Sequence, residues 1–116
     1  MGAKMTISKE KTACIRALND AFRKTFEGGK VMLTSGVDAL PSDVRAMVIR
    51  KVSTFSDFSP DNDPHQERDF GDFDLAGNKF FWKLDYYALD MEHGSEDPSD
   101  PTKTTRVLSI MLADEY

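Results

Sequence analysis

The sequence predicts an α+β fold of two layers, in which two N-terminal helices pack on a mostly antiparallel four-stranded sheet. Two segments in the first half repeat apolar residues at spacings of three and four, as amphipathic helices do. One β-forming segment lies between them, and three more fill the second half of the chain. The predicted order is therefore helix, strand, helix and then three strands.

The first helix is predicted to begin at an N-cap on Ser8 and to end at Gly28, with residues 1–7 as a flexible lead-in. The second helix is predicted to run from Ser42 to Phe55. Each helix has one apolar face, which we expect to pack on the sheet. These faces are formed by Ile15, Leu18, Phe22 and Phe26 in the first helix and by Val44, Met47, Val48 and Val52 in the second.

Four strands are predicted, over residues 30–37, 70–75, 79–87 and 104–112. The second and third form a hairpin around Ala76-Gly77-Asn78. The last strand has apolar residues on both faces, which predicts a central position in the sheet. In the third strand, the predicted core face is formed by Phe80, Trp82, Leu84 and Tyr86. The opposite face, a candidate polar-aromatic binding surface, is formed by Phe81, Lys83, Asp85 and Tyr87.

The length and composition are typical of one globular domain spanning residues 1–116. A hydrophobic fraction of 40%, with eight Phe, three Tyr and one Trp, argues against disorder. No apolar run has the length of a membrane span, and we expect no membrane partner. Because Cys14 is the single cysteine, no intramolecular disulfide can form, and we expect a cytoplasmic protein.

The formal net charge of −5 conceals two regions of opposite sign. Residues 1–55 contain ten basic and five acidic side chains, whereas residues 56–100 contain three basic and thirteen acidic ones. The acidic region disfavours nucleic acid as a partner at that surface, because it repels phosphates. It favours a protein partner with a basic surface.

The segment of residues 61–72 contains a candidate metal site. If residues 65–69 were extended, His65, Glu67 and Asp69 would project from one side, since side chains alternate along a strand. An imidazole and two carboxylates could bind a divalent metal that activates a water for hydrolysis, with Asp85 as a further ligand. The spacing does not fit a calcium-binding EF-hand loop.

The alternative is that these side chains order the loop or contact a partner, and that the protein binds no cofactor. Asp and Asn side chains commonly hold turns, and an arginine can pair with a neighbouring carboxylate. The candidate binding residues are Asp61, Asp63, His65, Arg68, Lys83, Asp85 and Tyr87.

Four separated blocks of the chain carry a family resemblance, namely IRALNDAFR at residues 15–23, the stretch from DNDPH to DFG at 61–71, FWKLDYY at 81–87 and TRVLSIMLADEY at 105–116. Together they resemble a family of small bacterial proteins catalogued as Domain of Unknown Function 3768. The resemblance implies a soluble, single-domain bacterial protein. It implies no activity, substrate or site residue.

Three functions remain open at this level, and the last in rank, for lack of a specific motif, is small-ligand binding between the helices and the Tyr86-Tyr87 end of the sheet. The first is a non-enzymatic protein-interaction or regulatory module with an acidic binding surface. The second is a metal-dependent hydrolase that uses His65, Glu67 and Asp69. We favour the first, because the chain has no strong nucleophilic or phosphate-binding motif.

Overall fold

The computed structural model describes the backbone of residues 2–116 and the side chains of residues 9–116. The elements follow the predicted order, with one short helix added after the first strand. They are α1 (Gly2–Thr25), β1 (Gly29–Leu33), α2 (Ser35–Asp38), α3 (Ser42–Ser53), β2 (Phe70–Leu75), β3 (Asn78–Tyr87), β4 (Thr105–Leu112) and a C-terminal 3-10 helix (Ala113–Glu115).

The four strands form one sheet in the order β1-β4-β3-β2. The hairpin of β2 and β3 is antiparallel, and so is the pairing of β3 with β4. β1 pairs with β4 in parallel, so the sheet is mixed. The α+β class, the four strands and the central position of β4 are confirmed.

Both long helices pack on one face of this sheet, which makes the two predicted layers. Phe22 of α1 and Val48 and Val52 of α3 share a core with the inward side chains of β3 and β4. The predicted core face of β3 is confirmed, since Phe80 and Trp82 are fully buried. Its other side chains, at positions 81, 83, 85 and 87, therefore point away from the helices.

The first strand is shorter than predicted, because residues 35–38 form α2 instead of continuing it. The Glu115 carboxylate accepts hydrogen bonds from the Thr34 hydroxyl at 2.6 Å and from the Gly36 N–H at 2.9 Å. A Cβ at Gly36 would lie 2.7 Å from Glu115 Oε1, so a larger residue here would displace the carboxylate. These hydrogen bonds from the carboxylate fix the first residues of α2. The Val37 side chain of this helix is fully buried in the core.

α1 begins at Gly2, so the predicted N-cap at Ser8 is wrong. The flexible lead-in predicted for residues 1–7 stays a prediction, because the side chains of these residues lie outside the described part of the chain. Among the residues that are described, no helix is long and apolar enough to cross a membrane.

The hairpin turn between β2 and β3 provides a direct test of backbone strain. Ala76 and Gly77 both have left-handed φ angles, 52° and 81°, which is the type I′ pattern that favours Asn-Gly. We therefore expect Ala76→Asn to raise the free energy of unfolding by about 0.5 kcal/mol, measured by urea denaturation. Ala39→Asn, at an exposed position with a φ of −80°, is the control and should not stabilise the protein. A lower urea midpoint for Ala76→Asn would contradict this account of the turn.

Candidate functional site

The candidate segment between α3 and β2 is a folded loop, not an extended strand. Its turns are held by hydrogen bonds from the Asp63 N–H to Ser59 O at 2.8 Å and from the Gln66 N–H to Asp63 O at 3.1 Å. Gln66 and Arg68 have φ angles of 59° and 53°, whereas an extended chain requires negative φ. Residues 65–69 therefore do not meet the condition, an extended chain, under which His65, Glu67 and Asp69 would project from one side.

The loop places the three predicted metal ligands in different environments. His65 is exposed, whereas Glu67 and Asp69 are partly buried. The Tyr86 hydroxyl donates to Glu67 Oε1 at 2.7 Å. Within the described part of the chain, these three residues do not bring their ligand atoms within 4.8 Å of one another.

Among the described residues, Asp90, Glu92 and His93 have potential ligand atoms within 4.8 Å of one another. They lie in an exposed turn after β3. The Asp90 carboxylate accepts the N–H groups of Glu92 at 2.9 Å and His93 at 3.2 Å, and His93 Nδ1 lies 2.9 Å from it. The Glu92 N–H, followed by the His93 contacts, lowers the pKa of Asp90. An aspartate that holds its own turn explains this cluster.

Beneath the loop, the fully buried Asn19 joins α1 to the sheet. Its Nδ2 donates to Glu67 O at 2.9 Å and to the Tyr86 hydroxyl oxygen at 2.8 Å. Its Oδ1 accepts from Arg106 Nε at 2.7 Å. Burial is the main cause that raises the pKa of Tyr86, so its hydroxyl stays protonated as the donor to Glu67. Glu67 thus closes a buried hydrogen-bond network with Asn19, Tyr86 and Arg106.

A second buried side chain of α1, Arg23, joins this helix to the end of α3. Its Nη1 donates to Val52 O at 2.8 Å and to Phe55 O at 2.7 Å. Carbonyls at a helix C-terminus favour a positive charge, which compensates part of the cost of burying the guanidinium. Its Cζ lies 5.0 Å from the Trp82 ring centroid and 5.3 Å from that of Phe58. Burial lowers the pKa of Arg23.

Two of the predicted binding residues, Asp63 and Arg68, hold the loop in place. Arg68 Nη1 donates to Asp20 Oδ2 of α1 at 2.8 Å, and the Arg68 backbone N–H donates to Asp63 Oδ1 at 2.9 Å. The Arg68 guanidinium also lies over the Phe58 ring, with Cζ 5.3 Å from its centroid. Asp63 is almost fully buried, whereas Asp61 is exposed. Asp63 therefore acts as a structural acceptor in this loop.

The other predicted binding residues, Lys83, Asp85 and Tyr87, lie on the face of the sheet away from the helices. Lys83 Nζ is 3.1 Å from Asp85 Oδ2. The candidate residues thus form two separate groups, one on the loop and one on the sheet. Two aromatic residues absent from the predicted set, Phe70 and Tyr116, extend the sheet group through contacts with Phe81.

The buried polar residues of α1 were also missing from the predicted set. Asn19 and Arg23 follow Ile15 at intervals of four, so they share its helix face. That spacing was available in the sequence, but a polar residue is usually placed on the solvent side of a helix. Only their partners on distant elements show why they are buried.

Asn19→Ala tests whether the buried network stabilises the fold. The change leaves Arg106 Nε without its acceptor and Glu67 O without its donor, so we expect a loss of about 2–4 kcal/mol in the free energy of unfolding. Urea denaturation measures it. Asn78→Ala, at an exposed position, should cost less than about 0.5 kcal/mol. Equal losses in the two variants would show that the network contributes nothing specific.

Asp69 should make the protein's stability depend on pH. Burial is the main cause that raises its pKa above 3.8 in the folded state, and Glu67 and Asp63 add to the rise. The cost of ionising it is thus absent below its unfolded pKa and complete above its folded pKa. Asp69→Asn, compared with wild type by urea midpoint, should gain stability as the pH rises from about 3 to about 7.

The control for this prediction is Asp61→Asn, which removes an exposed carboxylate from the same loop. Over the same pH range, its gain relative to wild type should be smaller than that of Asp69→Asn. The prediction is contradicted if Asp69→Asn becomes less stable relative to wild type between acidic and neutral pH. That result would mean that a favourable interaction of the ionised Asp69 carboxylate exceeds the cost of burying its charge.

Comparisons with known proteins give one match. A family model described as "Protein of unknown function (DUF3768)" matches residues 33–115, which is most of the chain. No curated protein and no solved structure matches it. The matched residues include the candidate loop and the sheet from the end of β1 to β4. Three of the four resembling blocks lie in this match, apart from the last residue of the chain, the block at residues 15–23 lies outside it, and the family resemblance is confirmed: the chain belongs to the family Domain of Unknown Function 3768.

Proposed function

We propose that the protein is a non-enzymatic protein-interaction module that binds its partner through the open face of the sheet. We call this the outer face, and its main side chains are Met32, Phe70, Phe81, Lys83, Asp85, Tyr87 and Tyr116. The observation that carries the proposal is an aromatic cluster on a face that neither long helix covers.

The cluster consists of Phe70, Phe81 and Tyr116. The ring centroids of Phe70 and Phe81 are 5.5 Å apart, and those of Phe81 and Tyr116 are 5.3 Å apart. Tyr116 is 74% exposed, and Met32, two strands from β3 on the same side of the sheet, is 59% exposed. Exposed aromatic and methionine side chains of this kind are enriched at the centres of protein interfaces.

The charges beside the cluster indicate the chemistry of the partner. On the same side of β2, Asp72 and Asp74 share one cation, with Lys79 Nζ 3.1 Å and 3.6 Å from their carboxylates. This end of the outer face therefore keeps a negative charge, in line with the acidic region of residues 56–100. A partner with an apolar centre flanked by lysine or arginine complements it.

The alternative of a metal-dependent hydrolase has less support from the geometry. Glu67 accepts the Tyr86 hydroxyl, and its main-chain carbonyl accepts Asn19. A metal at His65, Glu67 and Asp69 would need the loop to rearrange and Glu67 to leave a buried network. Such a rearrangement exposes or orphans several polar groups at once, which is costly.

The test compares two variants of similar chemistry on different surfaces. The wild-type protein, immobilised, serves as bait for a lysate of its source organism, and each protein recovered is purified for calorimetry. Tyr116→Ser should weaken its binding at least about tenfold, which is about 1.4 kcal/mol. Leu89→Ser removes an apolar side chain that is 64% exposed outside the outer face, and should change the affinity less than about twofold.

Two results would overturn the proposal. One is that no recovered protein binds saturably when purified. The other is that Leu89→Ser weakens binding as much as Tyr116→Ser. Binding should also weaken as the salt concentration rises, because the acidic end of the outer face attracts the partner electrostatically.

A further inference from the structure

A cleft on the other side of the molecule collects positive charge in a chain whose net charge is negative. It has a volume of about 400 Å³ and lies between α1 and the loop that follows α3. We call it the arginine cleft, and its main lining residues are Arg16, Phe58, Pro60, Asp63, Gln66 and Arg68. The volume is within the range of small-molecule sites, about 300–1,000 Å³.

Both guanidinium groups are anchored, and among the residues whose side chains are described, 9–116, each donates one hydrogen bond to a protein acceptor. Arg16 Nη1 donates to Gln66 O at 2.9 Å, and Arg68 Nη1 donates to Asp20 Oδ2 at 2.8 Å. A guanidinium has five N–H donors, and each of these contacts uses one. The side chains are thus positioned in advance, which reduces the entropy that a ligand must overcome when it binds.

The local charge balance also favours an anion. Asp20 is one carboxylate shared by two guanidiniums, because it pairs with both Arg23 and Arg68. Among the residues that line the cleft, two guanidiniums, those of Arg16 and Arg68, face one carboxylate, that of Asp63. The lining residues therefore carry one more positive than negative charge, which attracts an anionic group.

A second cavity of about 430 Å³ adjoins the first and increases this positive character. It shares Arg16 and Gln66 with the arginine cleft and adds Lys9 and His65 to the lining. Arg16 therefore lies at the junction of the two cavities. His65, which the sequence offered as a metal ligand, here lies among basic groups that would oppose a cation.

From this geometry we infer that the arginine cleft binds a small organic molecule through a carboxylate or phosphate group. The two guanidiniums provide the fork-shaped donors that match such oxyanions, and arginine is the residue best suited to hold them. The Phe58 and Pro60 side chains supply an apolar wall for the carbon part of the ligand. This site is separate from the outer face, so it does not depend on the proposed protein partner.

The test is a nuclear magnetic resonance titration of the whole chain with sodium phosphate and, separately, with sodium succinate, at constant ionic strength. We expect saturable shifts around Arg16 and Arg68 with a dissociation constant at or below about 1 mM for at least one of the two. Saturation by phosphate alone assigns a phosphorylated ligand, and saturation by succinate alone assigns a carboxylate. Saturation by both supports an oxyanion site without preference.

Three variants distinguish a specific site from general attraction. Arg16→Gln should raise the dissociation constant at least about tenfold, and it changes a partly exposed residue. Arg68→Lys keeps the charge that pairs with Asp20 but loses the fork, so it should weaken binding severalfold while the protein stays folded. Arg50→Gln removes the same charge from an exposed position on α3 and should have less than a twofold effect.

The inference is overturned if neither phosphate nor succinate saturates, or if Arg50→Gln weakens binding as much as Arg16→Gln does. Tyr116→Ser should leave the dissociation constant unchanged, because Tyr116 belongs to the outer face. A change in that variant would mean that the titration reports another surface, and would also count against the cleft.

Discussion

The fold depends on the hydrogen bonds that two buried polar side chains of α1 make to distant elements, although one buried atom, Arg23 Nε, has no partner among the described residues. Asn19 and Arg23 lie four residues apart and are almost completely buried. Asn19 binds groups on β3, β4 and the candidate loop, whereas Arg23 binds Val52 O near the end of α3 and Phe55 O just after it. Buried polar groups are costly unless each has its partner, so a shift of α1 would break several hydrogen bonds together. This constraint gives the helix one position on the sheet.

The same constraint shapes both surfaces to which we assign binding. Asn19 and Arg23 fix the position of α1, and Asp20 lies on the same helix. The Asp20 carboxylate accepts a hydrogen bond from Arg68 and so positions one side of the arginine cleft. Since both long helices use the inner face of the sheet, the aromatic side chains of Phe81 and its neighbours stay on the open side. One packing arrangement thus produces a polar cleft and an apolar face in different parts of a small domain.

Much of the fold could be predicted because its patterns are local. The alternation along β3 correctly assigned Trp82 to the buried face of the sheet and Lys83 to the opposite face. The apolar residues on both faces of β4 indicated its central position. The candidate site was predicted less well, because residues 65–69 depend on left-handed backbone angles at Gln66 and Arg68. Those angles are held by contacts with Asp63 and Asp20, which no periodic pattern records.

The sequence by itself determined the α+β class, the order of the main elements, the two faces of β3 and the family to which the chain belongs. The tertiary structure decided the parallel pairing of β1, the conversion of residues 35–38 into α2 and the division of the candidate residues between loop and sheet. The physical reason is the range of each interaction. Helix and strand periodicities arise from neighbours within a few residues, whereas Glu115 reaches Thr34 and Arg106 reaches Asn19 only after the chain has folded.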